Sequence, residues 1–205
     1  MTTQVPGNAG GGAIVPGHRD KYALVERERR FLLAAPPSGA RLTGERQITD
    51  CYLTGTRLRL RRVTRARSEP ELKLTQKVPA TRPGPVSGLI TNLYLSQAEY
   101  DLLATLPAAG LAKTRLSFPP YVIDVFGPPR HGLVLAEVEM PTDAGLAACP
   151  PPPGSVAEVT SDERFTGGRL AVTRRPELLA WLAEFGLTVQ DGQRASDPAR
   201  AALPQ

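Results

Sequence analysis

Charged side chains at every second position mark four separate segments of this 205-residue chain. Because successive side chains of a β-strand point to opposite faces, each set of charges would lie on one face of a strand. The sets are Glu26, Glu28 and Arg30; Arg57, Arg59 and Arg61; Lys73 and Lys77, with the polar Thr75 between them; and Glu137 and Glu139. The pattern predicts a mainly β, α+β protein in which several strands carry one charged and one apolar face.

The charges in these segments are sorted by sign. A single charged alternation is the ordinary solvated face of an antiparallel sheet, but such faces tend to mix opposite charges between paired strands. A barrel closed around a charged lumen accounts for the sorting, with the apolar faces packed outward against helices. Clustered carboxylates are stabilised by a hard cation, here Mg²⁺ or Mn²⁺, and clustered cations by a polyanion. The lumen is therefore predicted to bind a metal-chelated polyphosphate.

Composition limits the other possibilities. With 41% hydrophobic and 22% charged residues, the chain is expected to form one domain, and its net charge of +5 favours an anionic partner. Two cysteines, the lack of a signal peptide and the lack of a long apolar run predict a cytoplasmic protein with no membrane association. Nucleic acid is not expected, because the arginine-rich run 57–67 alternates with leucine. The protein is expected to be a monomer or a homodimer.

One domain over residues 21–190 is predicted, between a disordered arm at 1–20 and a flexible tail at 191–205. The predicted strands are Val25–Leu33, Ile48–Leu53, Arg57–Val63, Glu71–Val78, Leu89–Leu95, Ala112–Phe118, Tyr121–Phe126 and Gly132–Met140. A capping-box spacing from Ser96 to Glu99 predicts a helix reaching Pro107. Pro176 at a first helical position predicts a second helix that ends near Phe185.

The segment 26–32 resembles the E-x-E-x-K motif of the CYTH domain family, also called the triphosphate tunnel metalloenzymes. Similar stretches follow in the same order, and together they span residues 20–190. They are Cys51–Leu53, Arg57–Arg59, Leu74–Lys77, Lys113–Arg115, Ile123–Phe126, Gly132–Glu139 and Glu158–Asp162. The resemblance implies an eight-stranded antiparallel β-barrel tunnel with flanking helices.

The resemblance also implies roles for individual residues. The metal-binding acids would be Glu26, Glu28, Asp124, Glu137 and Glu139. The phosphate-binding cations would be Arg30, Arg57, Arg59, Lys73, Lys77, Lys113 and Arg115. The catalytic residues would be Arg30, Tyr52 and Glu28. In the family, one metal would hold the triphosphate and a second would activate the attacking water, as in two-metal phosphoryl transfer.

This chain departs from the family pattern at several positions. Arg30 replaces the family's lysine, Asn92 and Tyr94 replace a second E-x-E pair, and Phe165 and Gly167 replace a tyrosine and an asparagine. The expected activity is metal-dependent hydrolysis of a triphosphate-containing small molecule, with inorganic tripolyphosphate giving pyrophosphate and phosphate. Activity as a class IV-type adenylate cyclase or a thiamine triphosphatase stays open, and so does a non-catalytic polyphosphate-binding module.

Overall fold

The computed structural model describes residues 22–39, 42–80 and 86–189. The predicted disordered arm at 1–20 and flexible tail at 191–205 lie outside the described residues. Nine strands dominate the described part of the chain. They are β1 (Leu24–Leu33), β2 (Gly44–Leu53), β3 (Leu58–Thr64), β4 (Glu71–Pro79), β5 (Val86–Tyr94), β6 (Ala108–Phe118), β7 (Tyr121–Phe126), β8 (Val134–Glu139) and β9 (Ser155–Glu158).

Eight of the strands close into an antiparallel barrel. Their order around the barrel is β1-β5-β4-β3-β2-β6-β7-β8, and β8 pairs with β1 to complete the circle. The ninth strand, β9, pairs with the end of β1 at Phe31–Leu33. The eight-stranded barrel predicted from the sequence is confirmed.

Strand register places the charged sets on the inner face of the barrel. Glu28 on β1 is directly opposite Glu139 on β8, and Arg30 is opposite Glu137. On the other side, Arg59 on β3 is opposite Thr75 on β4. Because side chains alternate along each strand, these pairs face a common lumen while their neighbours face outward.

A glycine permits the closure between β1 and β5. The register shifts between Glu26 and Arg27, where β1 runs beside Gly88. Gly88 has a φ of +150°, and a Cβ there would collide with the carbonyl oxygen of Val78 on β4. Only glycine therefore allows the three strands to approach closely beside Glu26.

The outward faces are apolar and are covered by two short helices, α1 (Gln97–Leu103) and α2 (Asp143–Ala148). On β3 and β4, Leu60 and Leu72 pack against Tyr100 of α1. On β1, β7 and β8, the outer side chains pack against Leu146 of α2. This arrangement confirms that the strands have one apolar and one charged face.

One end of the lumen is filled by apolar side chains. A 3₁₀ turn at Glu163–Phe165 and helices α3 (Gly167–Val172) and α4 (Arg175–Glu184) cover this end. Leu111, Phe126 and Leu135 occupy inward-facing strand positions there and pack with Leu170 and Leu178. The charged part of the lumen therefore has an apolar floor, and burial of these side chains excludes water from that end.

Some predicted boundaries were wrong. Helix α1 ends at Leu103 rather than Pro107, because Thr105 and Leu106 donate to carbonyls only three residues back and Pro107 has no N–H. Strand β6 begins at Ala108, four residues before the predicted start at Ala112. The sequence interpretation missed β9, α2 and α3, which are too short to show a clear period.

Candidate active site

Three carboxylates converge on one wall of the lumen. Glu26 and Glu28 extend from β1 and Glu139 from β8, and one oxygen of each lies within 4.8 Å of the others. The ligand oxygens of an octahedral Mg²⁺, at about 2.1 Å from the ion, lie about 3–4 Å apart. A small inward movement of these side chains would let the three carboxylates hold a divalent cation.

The electrostatics of this acidic cluster favour a cation. Burial and the neighbouring Glu137 raise the pKa of Glu28 from 4.5 to about 7. Burial, Glu26 and Glu137 also raise the pKa of Glu139. Carboxylates with raised pKa values are poorly compensated in their charged form, and a divalent cation is the natural counter-charge for them.

Two further acids predicted as metal ligands contact cations instead. Asp124 on β7 is fully buried and accepts hydrogen bonds from Lys113 and from Arg115, whose Nε and Nη2 each lie 2.6 Å from a carboxylate oxygen. Glu137 accepts from Arg115 at 2.6 Å. Although burial acts to raise both pKa values, the neighbouring cations hold the pKa of Asp124 and of Glu137 below their ordinary range.

The opposite wall of the lumen is basic. Arg59 and Arg61 are buried on β3, and Arg61 forms a two-pronged ion pair with Asp50, with distances of 2.6 and 2.7 Å. The Nε of Arg59 is buried without a hydrogen-bond partner and lies 3.7 Å from Asp50. Lys77 on β4 crosses to the acidic wall, with its Nζ 2.7 and 2.8 Å from the two oxygens of Glu26.

Arg57, predicted as a phosphate ligand, lies outside the buried part of the lumen. It is exposed and precedes β3, which begins at Leu58. The two buried lumenal arginines of this strand are Arg59 and Arg61. A phosphate-binding role for Arg57 stays a prediction.

Lys73 and two arginines outside the predicted set lie toward the open end of the lumen. Arg46 on β2 and Arg65 after β3 line a cavity of about 120 Å³ together with Arg61, Lys73 and Arg115. Lys73 Nζ is 3.1 Å from Glu71. The sequence analysis missed Arg46 because no charged alternation is visible in β2, where Ile48 separates it from Asp50.

Arg30, predicted to bind phosphate and act in catalysis, is largely occupied by the backbone. Its Nη1 donates to the carbonyl of Phe165 at 2.8 Å and its Nη2 to that of Thr160 at 2.7 Å. Its buried Nε has no hydrogen-bond partner and lies 3.7 Å from Glu28. The side chain thus links the acidic cluster to the segment that covers the floor, and its buried Nε remains a donor for a ligand.

Tyr52 lies at the apolar floor. It packs among the residues of that core, and burial, together with Asp50, raises its pKa to about 12. A Cβ at Gly167 would collide with the Tyr52 hydroxyl, so the glycine allows the ring to approach the start of α3. At neutral pH this hydroxyl keeps its proton and can donate a hydrogen bond.

The fifth strand adds no carboxylate at the two positions where the family pattern has acids. Asn92 accepts a hydrogen bond from Thr75 at 2.7 Å, and Tyr94 is 71% exposed at the end of the strand. The acidic cluster of the described residues therefore comes from β1 and β8.

Comparison with solved structures identifies the fold. The inorganic triphosphatase NE1496 is 25% identical to this chain and superposes with a TM-score of 0.50, and the match covers 74% of this chain and 97% of that one. This chain has the CYTH, or triphosphate tunnel, fold. A second crystal structure of NE1496 matches with 27% identity, 72% and 98% coverage and a TM-score of 0.49.

A more distant match is a protein from Vibrio parahaemolyticus provisionally assigned as an adenylate cyclase. It is 10% identical, with a TM-score of 0.37, and the match covers 80% of this chain and 91% of that one. No protein-family model and no curated protein matches the sequence. Among the described residues, no helix of this CYTH fold is long and apolar enough to cross a membrane.

Proposed function

We propose that this protein is a divalent-metal-dependent hydrolase of triphosphate compounds and that its substrate is inorganic tripolyphosphate. The observation that carries the proposal is the pair of opposed walls in one lumen. Glu26, Glu28 and Glu139 converge on one wall, and buried Arg59 and Arg61 lie on the other. The similarity to an inorganic triphosphatase supports the same conclusion.

The acidic cluster would hold Mg²⁺ or Mn²⁺, because carboxylate oxygens without histidine or cysteine select hard cations. Such a cation supplies charge neutralisation for phosphate oxygens and an acidified water. Glu137 lies beside the cluster on β8 and joins it to Arg115. It would therefore connect the metal-binding wall to the phosphate-binding wall.

The cations of the lumen would orient the phosphate chain and take up the charge that develops as the P–O bond breaks. Arg115 and Lys113 are held in place by Asp124, which is fully buried. The buried Nε groups of Arg30 and Arg59 are donors without partners, and each would gain a hydrogen bond from a phosphate oxygen. Burial of these groups strengthens each interaction relative to water.

The choice of inorganic tripolyphosphate follows from the side chains that line the lumen. The charged ones would bind phosphate and metal, and the apolar floor is filled by the side chains of Leu111, Phe126 and Leu135. ATP, as a cyclase substrate, and thiamine triphosphate would both have to place an organic group at the open, cationic end.

A non-catalytic polyphosphate-binding module is the second candidate. It is favoured by Arg30, whose guanidinium is committed to two carbonyls and keeps its charge at any working pH. An arginine in this position can bind an anion but is a poor proton acceptor. Such a module would bind tripolyphosphate tightly and release no phosphate.

Product analysis separates these functions. Purified protein is incubated with tripolyphosphate, ATP or thiamine triphosphate, in Mg²⁺, Mn²⁺ or EDTA, and free phosphate and cyclic AMP are measured. We expect phosphate from tripolyphosphate only with metal, and none from the Glu137→Ala/Glu139→Ala variant. The exposed Glu69→Gln variant is the control. Phosphate release in EDTA, or release that survives in the double variant, would contradict the proposal.

A further inference from the structure

The open end of the lumen carries more positive charge than its own acids balance. Five cations and one carboxylate line the cavity of about 120 Å³ there: Arg46, Arg61, Arg65, Lys73, Arg115 and Glu71. Arg61 and Arg115 are paired with deeper acids of the lumen. Arg46, Arg65 and Lys73, which we call the outer cations, have only Glu71 among the cavity's lining residues as a counter-charge.

Distances within the cavity show how incomplete this compensation is. Glu71 lies 3.1 Å from Lys73 and 3.8 Å from Arg65. The side chain of Arg46 has no ion pair or hydrogen bond with any residue that the structure describes. Burial, and repulsion from Arg115 and Arg65, lower the pKa of Arg46. Like charges held together in a half-buried cavity favour binding of an anion.

The outer cations extend the phosphate-binding wall rather than duplicate it. Lys77 contacts the acidic cluster through Glu26, and Lys73 is four residues earlier on the same strand, about 13 Å away along its backbone. Arg61 and Arg115 line this cavity and also pair with the inner acids, so the two regions are continuous. A ligand held at the acidic cluster must be long to reach the outer cations, and its far end must be anionic to bind them.

We propose that Arg46, Arg65 and Lys73 form an outer subsite for phosphoryl groups beyond the third, so that the ligands include linear polyphosphates of four or more phosphates. This proposal rests on the proposed function only in assigning the first three phosphates to the cations deeper in the lumen. A neutral organic group here would leave Arg46 uncompensated. Additional phosphates would supply charge-assisted hydrogen bonds to all three outer cations.

Chain-length preference tests the subsite without relying on turnover. Tripolyphosphate, linear tetrapolyphosphate and ATP are titrated calorimetrically in EDTA into the wild type, into Arg46→Gln/Arg65→Gln, and into Arg62→Gln/Arg67→Asn as the charge-matched control. Arg62 is on the outer face of β3, and Arg67 is exposed with a φ of 59°, which asparagine tolerates. We expect the wild type to bind tetrapolyphosphate about tenfold more tightly than tripolyphosphate.

The double lumenal variant should lose this preference while its affinity for tripolyphosphate changes less than about threefold, and the control should keep it. Equal wild-type affinities for the two chains, an equal loss for both in the lumenal variant, or ATP binding as tight as tetrapolyphosphate would each overturn the subsite. If the protein has the outer subsite but not the proposed hydrolase activity, the result is different. The chain-length preference would then persist, while incubation of tripolyphosphate with Mg²⁺ would release no phosphate.

Discussion

Glu28→Gln should stabilise the metal-free protein at neutral pH and flatten its pH dependence. The pKa of Glu28 in the folded protein is about 7, against an ordinary value of 4.5, because the carboxyl is buried beside Glu137. The folded state therefore binds this proton more tightly than the unfolded state does. As pH rises from 4.5 through 7, the proton is lost and a poorly compensated charge is left in the lumen.

The magnitude follows from the displacement of the pKa. At about 1.4 kcal/mol per pH unit, a change from 4.5 to about 7 corresponds to about 3 kcal/mol. The free energy of unfolding in EDTA should thus fall by about 3 kcal/mol between pH 4.5 and pH 8 through this group. Glutamine has the same shape and no charge, so Glu28→Gln should lack this decrease.

Urea unfolding of the wild type, Glu28→Gln and the exposed control Glu69→Gln, at several pH values in EDTA, measures the effect. The difference in unfolding free energy between the wild type and Glu28→Gln should grow with pH and level off above about pH 8. Saturating Mg²⁺ at pH 8 should stabilise the wild type more than it stabilises the variant. Parallel pH curves for wild type and Glu28→Gln would refute the reasoning.

Three further changes test other parts of the lumen. Asp124→Asn leaves the buried Lys113 without its partner and should lower the free energy of unfolding, measured in urea, by about 3–5 kcal/mol. Adding Lys113→Met should restore part of this loss. An unchanged stability would show that the pair is not buried as described. Gly167→Ala should cost about 1–3 kcal/mol by collision with the Tyr52 hydroxyl, and a double-mutant cycle with Tyr52→Phe should show coupling between the two sites. Arg30→Lys cannot reach both carbonyls and should lose about 2 kcal/mol of stability; an effect on activity alone would argue against its structural role.

Alternation in the sequence was sufficient to predict the barrel and most of its inner wall. Glu26, Glu28, Glu137 and Glu139 could be assigned to one face because the side-chain period of a strand is two, and the register brings Glu28 opposite Glu139. Sorting of charge by sign then indicated a lumen, because like-charged faces on neighbouring strands are poor solvent faces. The pattern predicted a barrel around a charged lumen, and the resemblance to the CYTH family implied its eight antiparallel strands.

Other features depend on pairing between distant segments and could not be predicted. Arg46 joins the lumen only because β2 pairs with both β3 and β6, which its own neighbours do not reveal. The alternation of Arg57, Arg59 and Arg61 does not say where β3 begins, and the structure leaves the first of them exposed before the strand. The contact between Gly167 and Tyr52 joins residues more than a hundred positions apart.

Phosphate release from tripolyphosphate, followed with Mg²⁺ and with EDTA for the wild type and for Glu28→Gln/Glu139→Gln, tests the central claim most directly. The two substitutions leave only Glu26 of the convergent carboxylates and keep the shape of the lumen. We predict release by the wild type with Mg²⁺, none in EDTA, and a loss of at least about a hundredfold in the variant. Equal rates for wild type and variant, or release in EDTA, would contradict a metal-dependent reaction at this site.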